Sequence, residues 1–180
     1  PVEIPRDVQL ASLMDRMETV VSAHVTYQQA QMQRNGIEQI HGRARFVDDR
    51  TVAVETVWGT QRLLRGEVIV VATGSRPRTP TEVPVDHEHV LDSDSILSMA
   101  YLPKSLVVLG GGVIACEYAT IFAALGTHVT MIDRGERPLA FLDREITDRF
   151  VEAFELQPGC VFVGGARLES VRWNGVDAVV

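Results

Sequence analysis

Cysteine is scarce in this chain of 180 residues, with only Cys116 and Cys160 present. They form no CxxC or CxxxxC pair, so a zinc site would need further ligands that no spacing announces, and no metal site is expected. Both read as core thiols. Basic charge is also short: 17 lysines and arginines stand against 24 aspartates and glutamates, a formal charge of −7. That balance, with no basic cluster, excludes a groove built to neutralise nucleic-acid phosphates. No apolar run approaches the roughly 20 residues of a membrane-spanning helix. The stretch PVEIPRDVQL has neither the basic start nor the apolar core of a secretory signal, so a cytoplasmic setting without membrane contact is expected. Internal repeats and low-complexity tracts are missing as well. A hydrophobic content of 46% is enough for the core of one domain or of two modest ones.

What is there is concentrated between Ser105 and Glu117, SLVVLGGGVIACE. A short apolar strand, Leu106 to Leu109, runs into three glycines and then into a helical pattern from Val113 to Leu125, which Gly126 can end. Such a turn suits a dinucleotide. Gly110 permits the tight bend, Gly112 leaves room for a diphosphate, and Ala115 lets helix and strand pack closely. The free amides and positive end of the helix then favour an anion without any lysine. His128 to Ile132 reads as a second strand ending in Asp133, 21 residues beyond Gly112. That is about where an acid meets the adenosine ribose in dinucleotide folds. A glycine-rich turn in an ordinary α/β domain is the competing reading.

Upstream, Leu10, Leu13, Met14, Met17, Val20 and Val21 recur at three- and four-residue steps, predicting an amphipathic helix from Asp7 to about Gln33, closed by Asn35-Gly36. Its methionine-bearing stripe reads as core packing. Glu38 to Val47, Thr51 to Val57 and Leu63 to Val71 read as strands, and Arg76 to Val90, with Pro77, Pro80 and Pro84, as an extended connector with a domain boundary close behind it. Asp92 to Ser95 offer caps for a short helix through Met99. Downstream, Arg134 to Leu142 reads as a loop, Asp143 as the cap of a helix to about Leu156, and Cys160 to Val163 as a third strand. Leu168 to Trp173 and Val176 to Val180 flank Asn174-Gly175 as a hairpin. The sequence stops inside that hairpin, so a piece of a longer protein is expected.

The order VVATGSRP (Val70 to Pro77), LDSDSIL (Leu91 to Leu97) and GGGVIACEYATIFAALGTHVTMIDRGERPLAFLDREI resembles the FAD-dependent pyridine-nucleotide-disulfide oxidoreductase family across nearly the whole chain. The resemblance implies an α/β fold: a Rossmann-like NAD(P)-binding domain at 101–180, truncated on its C-terminal side, and at 1–100 the latter part of a second, FAD-binding Rossmann-like domain. It implies that Arg43 and Ala44 meet the FAD adenine, and that Ala72, Thr73 and Gly74 pass close to the flavin nucleotide. By their residues alone these are a plain strand and a turn. It further implies that Gly110, Gly112, Val113 and Ile114 line the NAD(P) diphosphate and that Glu117 lies near the nicotinamide, where it otherwise reads as a first-turn acid favoured by the helix dipole.

Asp133 favours a free ribose hydroxyl and hence NAD, while Arg134 and Arg137 could pair with the extra phosphate of NADP; ordinary surface arginines are the alternative. The activity implied is hydride transfer between NADPH and NAD through FAD, with no catalytic residue inside these 180. The fragment alone is expected to be inactive. Two alternatives stand beside it: an FAD-dependent dithiol/disulfide reductase, and a non-catalytic NAD(P)-binding sensor. The partners implied are nicotinamide nucleotides and, in the full-length protein, a second copy held through a dimerisation domain outside this chain.

Overall fold

The computed structural model describes residues 10–180. The described residues divide into two compact units, Met17–Arg76 and Pro77–Val180, the latter joined by residues 10–16.

Helix α1 spans Leu10–Arg34. The expected first turn, from Asp7, lies outside the described residues. The helix ends as its sequence predicts: Gly36 takes a left-handed φ of 63°, and the amide of Ile37 reaches back to the Met32 carbonyl at 2.9 Å.

In the Met17–Arg76 unit, β1 (Gly42–Phe46), β2 (Thr51–Thr56) and β3 (Gln61–Arg65) form an antiparallel meander in the order β1-β2-β3. Phe46 faces Val52, and Val52 faces Leu64, so branched and aromatic side chains line up across the strands. Asp48 turns the first hairpin by accepting the Arg50 amide at 2.8 Å. The expected third strand, Leu63 to Val71, is corrected: pairing stops at Arg65. A strand needs a neighbour to take its amides and carbonyls, and among the described residues none pairs with Val68–Val71. That run is 66–83% exposed at its three valines.

In the other unit, β4 (Ser105–Leu109), β5 (His128–Ile132) and β6 (Val161–Val163) form a parallel sheet in the order β4-β5-β6. Parallel neighbours require crossovers, and α2 (Val113–Ala124) and α3 (Arg144–Glu155) supply them. On β5 the apolar positions alternate inward: Val129 and Met131 are fully buried against Ala119, Phe122 and Phe154. Burying each of these larger side chains contributes about 1.5–3 kcal/mol. Buried Thr127 fixes the α2-to-β5 turn by donating its hydroxyl to the Pro103 carbonyl at 2.9 Å.

Three local expectations are refined. The short helix before β4 is a single 3-10 turn, Ser95–Ser98, secured by Asp92, whose Oδ1 accepts the amides of Asp94 and Ser95. Asp143 occupies the cap position of α3 but its side chain makes no capping hydrogen bond. The final hairpin is only two residues deep on each side, β7 (Arg172–Trp173) and β8 (Ala178–Val179). Its turn is longer than Asn-Gly: Asn174 Oδ1 accepts the amides of both Val176 and Asp177, and the Asn174 amide donates to the Asp177 carbonyl. His89 from the connector stacks on Trp173, ring centroids 3.8 Å apart.

Candidate functional site

The glycine turn sits between β4 and α2. Strand β4 continues one residue past its end, the Gly110 amide donating to the Ile132 carbonyl at 2.8 Å, and Gly110 then bends with φ 117°, a conformation open to glycine and strained for other residues. Gly112, in extended conformation, precedes α2, and a side chain there would meet only open space. The first helical bond runs from the Cys116 amide to the Gly112 carbonyl, and no side chain caps the helix. The leading amides of α2 thus have no partner within the helix, while Val113 and Ile114 stand exposed beside them. With no capping side chain and no atom within 4 Å of a Cβ built on Gly112, these amides lie open, the kind of helix start that favours an anion.

Asp133 ends β5 next to that turn. Its Oδ1 accepts the Gly135 amide. Its Oδ2 lies where a methyl group on Gly111 would come within 3.0 Å, which places the carboxylate against the middle glycine. The segment after it folds back: Leu139, in the left-handed region at φ 49°, donates its amide to the Gly111 carbonyl at 2.7 Å. The same carbonyl receives the Cys116 thiol at 3.7 Å. Burial first, then the negative charges of Asp133 and Glu117, pushes that thiol up to about 11.

The two arginines separate. Arg134 is exposed and makes no hydrogen bond or ion pair among the described residues. Arg137 is half-buried and points inward, donating to the Leu142 carbonyl at 3.0 Å, the Ala140 carbonyl at 3.0 Å and the Thr147 hydroxyl at 2.9 Å. Thr147 is fully buried and donates its own hydroxyl hydrogen bond to the Arg144 carbonyl at 2.9 Å. Sequence reasoning did not anticipate Leu139 or Thr147 in this site. Leu139 contributes through its backbone amide and Thr147 through a hydroxyl that meets Arg137 ten residues away, and neither leaves a trace in a local pattern of side chains.

Glu117, exposed one turn into α2, borders an open hollow of about 340 Å³ with Cys116, Leu139, Phe141 and Phe150. In the other unit, Arg43 and Ala44 lie in β1, paired with Glu55 and Val54, and are exposed. Ala72, Thr73 and Gly74 are exposed outside any strand, with Gly74 at φ 69°. Among the described residues no group of three His, Cys, Asp or Glu could hold a metal ion, and no helix is long and apolar enough to cross a membrane.

Comparison with known proteins follows the same lines. The family model described as pyridine nucleotide-disulphide oxidoreductase matches residues 4–180. The chain is 42% identical over 144 residues to the soluble pyridine nucleotide transhydrogenase of Pseudomonas paraeruginosa, covering 80% of this chain and 31% of that protein. It is 41% identical over 138 residues to the protein of the same name from Escherichia coli, covering 77% and 30%. The chain therefore spans about a third of the length of these relatives. Among solved structures it resembles LpdA from Mycobacterium tuberculosis, with a TM-score of 0.88 and 25% identity over 96% of this chain and 39% of the other. The fold also matches the HOCl-induced flavoprotein disulfide reductase RclA from Escherichia coli, with a TM-score of 0.81 and 24% identity over 96% and 41%.

Proposed function

The chain belongs to the pyridine nucleotide-disulphide oxidoreductase family, and from that premise we propose that it is the nucleotide-handling part of a flavoprotein that moves hydride between NADPH and NAD. Residues 101–180 form the NAD(P)-binding domain in this reading, and residues 1–100 the latter part of the FAD-binding domain. The observation that carries it is the uncapped start of α2 behind Gly112, with the Asp133 carboxylate against the same turn. Identity near 40% to proteins named transhydrogenases supports this activity within the family.

Each part of the site has a distinct task. The amides that open α2, from Gly112 through Ile114, hold the diphosphate, and Gly110 shapes the bend that presents them. Asp133 accepts from the adenosine ribose, its Oδ2 being free of any hydrogen bond among the described residues. Arg134, exposed and next in the chain, takes the extra phosphate of NADP in this reading. Glu117 orients the nicotinamide end from the rim of the hollow. Arg43, Ala44, Ala72, Thr73 and Gly74, exposed on their own unit, offer backbone to the FAD nucleotide. FAD, when bound, supplies the two-electron relay between nicotinamides, and the chain supplies position and electrostatics. A cytoplasmic setting accords with relatives that are named soluble and with two buried free thiols.

The test uses the intact FAD-loaded protein. NADPH should reduce the flavin, and an NAD analogue should reoxidise it without any thiol substrate. Reoxidation only by a disulfide would replace this activity with that of a dithiol reductase. Nucleotide binding in a full-length protein that carries no flavin would point to a sensor.

A further inference from the structure

Arg137 lies within the loop that joins the ribose acid to α3, yet its guanidinium faces the protein. It gathers Ala140, Leu142 and Thr147, spanning both the loop and the first turn of α3. Two residues further along the chain, Leu139 carries the loop's amide onto Gly111 of the diphosphate turn. Two residues back, Gly135 donates to Asp133. The loop is thus pinned at three places, and the central pin is the arginine. Left-handed backbone at a leucine persists only where surrounding contacts impose it.

We propose that Arg137 is a positioning residue of the nucleotide site, holding the Asp133–Leu142 loop in the shape that seats either nicotinamide coenzyme, while the choice between the two falls to Asp133 and Arg134. This rests on the dinucleotide reading of the Gly110–Gly112 turn. A fork with three protein acceptors already engaged has no reason to leave them for a phosphate, whereas Arg134 has none to leave. The consequence is a symmetry: loss of Arg137 weakens both coenzymes alike, and loss of Arg134 weakens only the phosphorylated one.

Dissociation constants of NADH and NADPH are measured on the intact FAD-loaded protein for Arg137→Ala, Arg137→Lys, Thr147→Val and Arg134→Ala, at a temperature where each variant is folded. Arg137→Ala is expected to raise both constants about tenfold with their ratio unchanged, consistent with losing hydrogen bonds from a charged donor. Arg137→Lys, which keeps the charge but not the fork, should recover little, and Thr147→Val should show a smaller loss of the same even pattern. A loss confined to NADPH would put the guanidinium on the ribose phosphate and overturn the proposal. Unchanged constants together with a lowered melting temperature would overturn it too, leaving a purely stabilising residue. Should Arg137→Ala not fold, Thr147→Val decides alone: an uneven effect or none sinks the idea. Gly112→Val separates the premise from the inference, because if it leaves both coenzymes bound as before, the dinucleotide site itself lies elsewhere.

Discussion

The amide of Leu139 meets the carbonyl of Gly111 at 2.7 Å, joining the loop after Asp133 to the glycine turn between β4 and α2. Gly111 has no room to spare on this side, since an added methyl would sit 3.0 Å from both Asp133 Oδ2 and the Pro138 Cα. Gly111→Ala should therefore push the loop outward, costing about 1–3 kcal/mol of stability, as overpacking does elsewhere. Nucleotide affinity should fall with it. Denaturant unfolding and coenzyme titration on the same sample check both halves.

Coenzyme preference should move in opposite directions at two adjacent residues. If Asp133 is the ribose acid proposed above, Asp133→Ala should shift preference toward NADP by about tenfold, the scale of one charged hydrogen bond. Arg134→Ala should weaken NADP with little effect on NAD. Titration of NADH and NADPH gives the ratio, and an unchanged ratio in both variants would discard the assignment.

Cys116 should be a sluggish nucleophile. With its thiol near 11 against about 8.5 in an unfolded chain, the thiolate at pH 8 is scarcer by roughly two orders of magnitude. Alkylation of the folded protein, followed by mass spectrometry, should be correspondingly slower at Cys116 than in denaturant. The sign for stability follows: the raised value favours folding in full below about 8.5, and that contribution fades as pH climbs through 11.

The connector carries an acid-resistant knot. Asp86 Oδ1 accepts the amides of Glu88, His89 and Val90 at 2.8–2.9 Å. Chiefly the Val90 and Glu88 amides, with a smaller contribution from His89, bring its carboxyl down to about 2. Because the folded value lies below the unfolded one, its support is present above about 3.9 and lost only as pH falls through about 2. Carboxyl carbon shifts followed by NMR should show a midpoint near 2 for Asp86, and a midpoint near 4 would contradict the loop geometry.

The parallel half of the fold was readable because its signals are local. Glycines at Gly110 and Gly126 and an apolar alternation on β5 are signals contained within a few residues, and β4, α2 and β5 stand where they point. The orientation of Arg137 was not readable, since two of its three acceptors are backbone carbonyls and the third, Thr147, looks in sequence like any first-turn threonine. Likewise Leu63 to Val71 has the composition of one long strand, but hydrogen-bond partners, not composition, decide where it ends. The Asn174-Gly175 dipeptide announced a hairpin, and the asparagine side chain then widened its turn.

The uncovered run Val68–Val71 also bears on how this polypeptide behaves in a tube. Six uncharged residues, Val68 to Thr73, present a free β-prone ribbon between Glu67 and Arg76, the two nearest ionic gatekeepers. Concentrated samples should zip together there first, and recharging Val70 with lysine is the least invasive way to keep them dispersed.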